Sequence, residues 1–180
     1  LAYNQQTQMA YIPNEEIRRE FLTAVTSNRW NELLTFQQES AELLDATLAM
    51  DENAVAAGIG KIHEEYTSVI QYNNENSLSS VLSIAYLSSM QYYFKPIREF
   101  PAGRGFADFV FIPKPEFQNY YPALVVELKW DKSVRAALDQ IRDGKYPESV
   151  ACYAGELLLV GINYNEKTKE HECRIEKYEK

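Results

Sequence analysis

Two runs, Phe106-Ala107-Asp108-Phe109-Val110-Phe111-Ile112 and Ala123-Leu124-Val125-Val126-Glu127-Leu128-Lys129, are too continuously apolar for a surface and far too short for a membrane span. Both read as central strands of a sheet covered on its two faces. Each nevertheless carries charge. An unpartnered ionised carboxylate is prohibitively costly in an apolar interior, so Asp108 must be paired, bound to a metal, or placed near a strand end in solvent. Taken alone, it is equally consistent with a strand-end acid satisfied by backbone amides or a salt bridge. Side chains alternate along a strand, so Glu127 and Lys129 project to one side and the Leu128 side chain to the other. An ordinary ion pair explains that acid-x-Lys spacing too, and Asp143-Gly144-Lys145 repeats it. The repeat follows a helical segment, however, and only the Glu127 match has an apolar strand before it.

The surrounding pattern alternates helix and strand. Pro13-Asn14 starts a helical region with Ile17, Phe21, Leu22 and Val25 at helical spacing. Leu43, Leu44 and Leu48 suggest a second helix, and Val55, Ile59, Ile62 and Tyr66 a third. After the polar break at Asn73-Asn74, an apolar helix is expected from about Glu75 to Tyr92. Phe94 to Phe100 reads as an edge strand that tolerates Pro96, and Ala102 to Gly105 as a turn. A short helix from Ser133 to Asp143 follows the second apolar run, with Gly144 at its end. Strands at Leu157 to Tyr164 and His171 to Tyr178 complete an α/β layer arrangement. Residues 1–72 are expected to form a helical connector, its first ten residues a tether, and residues 73–180 the domain proper.

With 180 residues, of which 46% are hydrophobic, the chain can bury one substantial core. Two cysteines, Cys152 and Cys173, and two histidines, His63 and His171, suggest neither a disulfide framework nor a zinc site. Both thiols are expected reduced and buried. With neither a membrane-length apolar run nor a signal-like start, the expectation is a cytoplasmic protein that does not engage membranes. A net charge of −8 excludes a surface that attracts nucleic acid everywhere. Any such contact must be local, and residues 98–145 carry eight basic against seven acidic side chains.

Asp108 with Glu127-x-Lys129 on successive strands is more informative than either alone. Two carboxylates on adjacent strands can share a hard cation such as Mg²⁺, which takes oxygen ligands and keeps several waters. Such a cation would neutralise a scissile phosphate and acidify a coordinated water, and Lys129 would orient that water or stabilise developing charge.

Gly103-Arg104-Gly105-Phe106-Ala107-Asp108, then Glu127-Leu128-Lys129, Ala137-Leu138-Asp139-Gln140-Ile141 and Lys145-Tyr146, resemble the PD-(D/E)XK nuclease superfamily over about Asn73 to Tyr178. More closely, these residues resemble bacterial nuclease-like domains that follow an AAA-ATPase-like domain in one chain. It implies a restriction-endonuclease-like αβββαβ core with a mixed sheet, and Mg²⁺-dependent, or Mn²⁺-dependent, cleavage of nucleic acid, DNA in the first instance. It also implies a preceding ATPase-like portion as partner. Ala107 stands where the motif has Pro. By the resemblance, Asp108, Glu127 and Lys129 are catalytic, and Asp108, Glu127 and Leu128 hold the metal.

Relatives often add an acid from the first core helix, which singles out Glu75; a carboxylate favoured by the helix N-terminus explains it equally well. Gln140 matches a glutamine that similar enzymes place near the metal, although a surface role is the commoner one. Arg104 between two glycines is positioned to reach a phosphate, while a hairpin turn accounts for the glycines just as well. The 13 tyrosines suit base stacking or, more commonly, a core or interface. The competing function is a catalytically silent module of the same fold that binds nucleic acid or its own ATPase-like domain.

Overall fold

Ala123 to Lys129 is buried at every position, as its unbroken apolar character demands, and β5 (Ala123–Trp130) is the middle strand of a five-stranded mixed sheet. The computed structural model describes residues 2–4, 9–11, 14–16, 18–20, 28–66, 74–151, 153 and 155–179. Its contacts divide the chain into two units, Leu1–Gln38 and Glu39–Lys180.

In the first unit, β1 (Ala2–Asn4) pairs antiparallel with β2 (Met9–Tyr11), Ala2 opposite Tyr11. The expected tether is therefore partly a β-ladder. Asn14 opens a helical turn by accepting the Glu16 N–H on Oδ1 at 2.8 Å. Ile17, Phe21, Leu22 and Val25 lie outside the described residues.

The second unit begins within α1 (Asn28–Leu48). Leu43 and Leu44 of that helix, Val55, Ile59 and Ile62 of α2 (Glu52–Tyr66), and Leu78, Val81, Leu82 and Ala85 of α3 (Glu75–Ala85) form one buried cluster with the sheet. Phe109, Phe111, Leu124, Val126, Leu128, Val160 and Ile162 are the strand residues in it. The unit that holds the sheet thus starts upstream of the boundary at residues 72–73 suggested by the sequence, because the apolar stripes of these helices have the sheet to cover.

The strand order is β3 (Ile97–Ala102), β4 (Gly105–Phe111), β5, β6 (Leu157–Asn165) and β7 (Glu170–Lys177). The β5–β6 pair is parallel and the others are antiparallel. The parallel crossover is supplied by α4 (Val134–Asp143) and α5 (Tyr146–Val150). Leu138, Ile141, Tyr146 and Val150 of these helices cover the other face at Ala107, Val110, Ala123, Val125, Leu157 and Leu159. Close approach of α4 depends on Gly161, where a Cβ would lie 2.9 Å from the Val134 carbonyl oxygen and 3.1 Å from Ala137 Cβ. No helix among the described residues is long and apolar enough to cross a membrane.

Two elements differ from the sequence expectation in extent. The helix from Glu75 stops at Ala85 and gives way to a 3₁₀ segment, Leu87–Gln91. Ser88 N–H donates to Ser40 Oγ at 2.9 Å instead of to a carbonyl four residues back, so a tertiary bond replaces a helical one. The edge strand starts at Ile97 rather than Phe94. Phe94 N–H donates to the Ile112 carbonyl, but Pro96 has no N–H, and continuous pairing resumes only after it.

The β3–β4 turn fixes a glycine for a physical reason. Gly103 has φ of +52°, and a Cβ there would sit 1.9 Å from the Gly144 carbonyl oxygen. Gly103→Ala is therefore expected to destabilise the fold by at least about 2 kcal/mol. Gly155, where a Cβ would meet nothing within 4 Å, is the control: Gly155→Ala should stay within about 0.5 kcal/mol of the parent. Urea unfolding of both variants checks this, and equal stabilities would refute the packing argument.

Candidate metal-binding active site

β4 and β5 pair at Phe111–Leu124, Val110–Val125 and Phe109–Val126, and there the ladder ends. One further step in the same register would set Asp108 opposite Glu127. The break extends across β4: Arg98–Phe109 and Phe100–Ala107 pair with β3, whereas Glu99 and Asp108 between them do not. Ala107 and Val110, three residues apart, lie in one cluster, so strict alternation is lost at Asp108. Glu99 has φ of +49°, a left-handed conformation unusual for a side chain of its kind.

The open ladder exposes the main chain of Leu128, and side chains occupy it. Leu128 N–H donates to Asp108 Oδ2 at 2.7 Å. The Leu128 carbonyl accepts from Lys129 Nζ at 2.9 Å, and the same ammonium donates to Glu127 Oε1 at 2.8 Å. Glu75, the first residue of α3, brings Oε1 to 3.8 Å from Lys129 Nζ. Asn74 sets that helix start by accepting the Ser77 N–H on its side chain. Asp108, Glu127, Lys129, Leu128 and Glu75 are thus gathered at one place.

Gln140 and Arg104 stand elsewhere. Gln140 is exposed on α4, its Nε2 donating to the Tyr146 hydroxyl at 3.3 Å. Arg104 is exposed in the β3–β4 turn, where its N–H donates to the Gly144 carbonyl at 2.9 Å. The flanking glycines are used in packing: a Cβ on Gly105 would lie 2.8 Å from the Tyr146 hydroxyl.

Beside Asp108 a cleft of about 300 Å³ is lined by Asn74, Glu75, Asn76, Ser79, Arg98 and Glu99. Arg98 and Glu99 were not singled out from the sequence. Counting outward from the Gly103-Arg104 turn, which pairs Ala102 with Gly105, would have placed Glu99 level with Asp108.

The electrostatics follow from burial. Glu127 is 2% exposed, and desolvation, reinforced by the Asp108 charge, pushes its carboxyl up to about 7 in spite of Lys129. Burial also raises Asp108, against the Leu128 N–H that favours its charged form, and Glu75 and Glu99 act in the same direction as burial. Glu127 Oε2 is buried with no hydrogen-bond partner among the described residues. An orphaned carboxylate oxygen beside a second acid fits a hard divalent cation, which is commonly held by one or two carboxylates while water and phosphate complete its shell. No group of three His, Cys, Asp or Glu among the described residues forms a metal site by itself.

Residues 73–173 match the family model of the PD-(D/E)XK nuclease superfamily. The chain belongs to this superfamily. No curated protein matches it. The matched span contains α3, α4, α5, β3 to β6 and the first half of β7, and the five-stranded mixed sheet is that of a restriction-endonuclease-like fold. PD-(D/E)XK proteins are generally nucleases and typically use divalent metals. Asp108, Glu127 and Lys129 all lie within the matched span.

The raised Glu127 carboxyl has a consequence for stability. The unfolded chain loses this proton near pH 4.5 and the folded chain near 7, so the folded state holds the extra proton and is weakened as pH rises through that window. His171 works oppositely: burial and the neighbouring His63 lower it from 6.5 to about 4, and its contribution is lost as pH falls between them. Comparing Glu127→Gln with the parent cancels the histidine. In chelator, the melting temperature of the variant relative to the parent should increase from pH 4.5 to about 7.5 and then level off, with a final gain of a few degrees. A variant that melts below the parent at pH 8 would show that the Lys129 pair outweighs burial.

Proposed function

We propose that the chain is a metal-dependent nuclease that hydrolyses phosphodiester bonds, with Mg²⁺ as its ion and Mn²⁺ as a substitute. The observation that carries this reading is the buried Glu127 carboxylate, one oxygen held by Lys129 and the other unpartnered, next to Asp108 where the ladder opens. Burying the Glu127 carboxylate in this way costs stability, and its second oxygen gains no hydrogen bond among the described residues in return.

Asp108 and Glu127 are the residues that would hold the ion, with Glu75 at the rim and the Leu128 carbonyl within the same group. When bound, a divalent ion neutralises phosphate charge and acidifies water at neutral pH. The chain's own residues supply the rest. Asp108 is held on one oxygen by the Leu128 N–H, which limits the side-chain rearrangement that binding would need. Lys129 spends two of its three N–H donors on Glu127 and Leu128. The third is available to orient a water or to stabilise charge on a phosphoryl oxygen. The covered strand ends exclude bulk water from one side, which strengthens each of these interactions.

DNA as the nucleic acid, a bacterial source and an AAA-ATPase-like domain in a longer chain as partner rest on the motif resemblance alone. Gln140 and Arg104 enter the proposal on the same footing, as residues that contact substrate from α4 and the β3–β4 turn. A second reading, a silent module binding nucleic acid or an ATPase-like domain, draws its support from the net charge of −8.

Asp108→Asn, Glu127→Gln and Lys129→Ala should each reduce Mg²⁺-dependent cleavage at least about a hundredfold while retaining the parental far-UV dichroism. Calorimetry should show weakened Mn²⁺ binding for the two acid variants and retained binding for Lys129→Ala. Linear, circular, branched and single-stranded substrates are all to be tried. Parental rates in all three variants, or no cleavage by the parent with either metal, would leave the silent module as the better account.

A further inference from the structure

A second cavity adjoins the acidic cleft, and the two share Arg98. It has a volume of about 190 Å³ and an apolar wall that includes Tyr86, Leu87, Met90 and Phe109. Lys95 and Arg98 also line it, and no carboxylate does. Leu87 and Met90 are 47% and 41% exposed, so the apolar wall is open to solvent. In a chain of net charge −8, an apolar hollow whose charged lining is entirely cationic is complementary to an anion with an apolar body.

Arg98 itself is the connecting feature. The cleft on one side of it carries Glu75, Glu99 and Asp108, yet among the described residues its guanidinium forms no ion pair with any of them. It lies over the Phe109 ring instead, 5.7 Å from the centroid, on the cross-strand partner given by the β3–β4 register. An arginine held by a ring, rather than by the acids beside it, keeps its planar donor fork for another anion.

We propose that this cavity and Arg98 form a nucleotide subsite: Arg98 holds a backbone phosphate next to the one at Asp108 and Glu127, and the apolar cavity takes the attached base. The inference rests on the nuclease reading and narrows its substrate class. A base lodged in the cavity is unstacked from its neighbours and unpaired, so the preferred substrate is single-stranded nucleic acid or an unpaired end or flap.

The test measures binding by anisotropy in Ca²⁺ and cleavage in Mg²⁺ with matched single-stranded and duplex oligonucleotides. The parent should prefer the single strand, and an abasic residue walked along that strand should weaken binding on the order of tenfold at one position near the cut. Arg98→Ala should lower the salt dependence of single-strand binding by about 0.7 in log–log slope. Ser83→Leu, which fills the cavity from α3 without changing charge, should reduce single-strand affinity about tenfold. A parent that cleaves but tolerates an abasic residue everywhere overturns the subsite and leaves the nuclease reading intact. So does an unchanged salt slope in Arg98→Ala. A parent that neither binds nor cleaves any nucleic acid overturns both. If an apolar peptide occupies the cavity and the abasic walk is flat, the surface is a protein-docking site and the proposal is wrong.

Discussion

The hydrogen bond from Leu128 N–H to Asp108 Oδ2 is the contact on which the site depends. Where β4 and β5 stop pairing, the main chain of β5 remains buried, and an unsatisfied buried N–H costs about 1–3 kcal/mol. A carboxylate at position 108 restores the missing acceptor at side-chain length, which allows the strands to stay apart without that penalty. Lys129 does the complementary service for the Leu128 carbonyl. The gap between the strands is therefore stabilised by the same groups that fill it with charge. Asparagine at 108 retains an acceptor, which separates the structural part of this contact from the part that needs a negative charge.

What that arrangement does not solve is the excess of negative charge. Glu75, Glu99, Asp108 and Glu127 converge on a region where, among the described residues, Lys129 is the only cation in ion-pair contact with the acids. Burial and mutual repulsion raise the Asp108 and Glu127 carboxyls, which is the direction expected when like charges share a site without enough opposite charge. The cost is borne by the clusters on the two faces of the sheet, where aliphatic and aromatic side chains are buried from five helices. A divalent ion would remove the repulsion, so the same groups that weaken the empty fold would bind metal with the energy released.

Much of this was legible in the sequence, and the reasons differ by residue. Continuous apolar runs located β4 and β5, because a strand covered on both faces has no polar positions to spare, and the charges that break those runs marked Asp108, Glu127 and Lys129. Residues of one strand also carry their relative orientation in their spacing, which is why Glu127 and Lys129 were paired correctly. Extents were less legible: the end of α3 is set by Ser88 bonding Ser40, a contact between distant segments that no local pattern announces. Arg98 and Glu99 were missed for a similar reason. Their region of the edge strand is exposed and irregular, and their position relative to Asp108 comes only from the hairpin register. The placement of Gln140 against Tyr146 likewise follows from the α4–α5 turn, not from its spacing on the helix.

An acidic protein acting on a polyanion faces a definite physical limit. At physiological ionic strength charges farther apart than about 8 Å are largely screened, so a net charge of −8 spread over the surface repels substrate less than its size suggests. It also contributes no attraction, and non-specific affinity for nucleic acid comes almost wholly from lysines and arginines at phosphates. Under the nuclease reading, the chain's electrostatic grip on substrate is then confined to the metal, Lys129 and the cations at the cleft edge. A grip of that kind discriminates by local shape, because only a strand that fits the cleft reaches several cations at once. It also makes encounter inefficient, and a second domain that holds nucleic acid or delivers an opened strand would raise the effective concentration at the site without altering any residue in it.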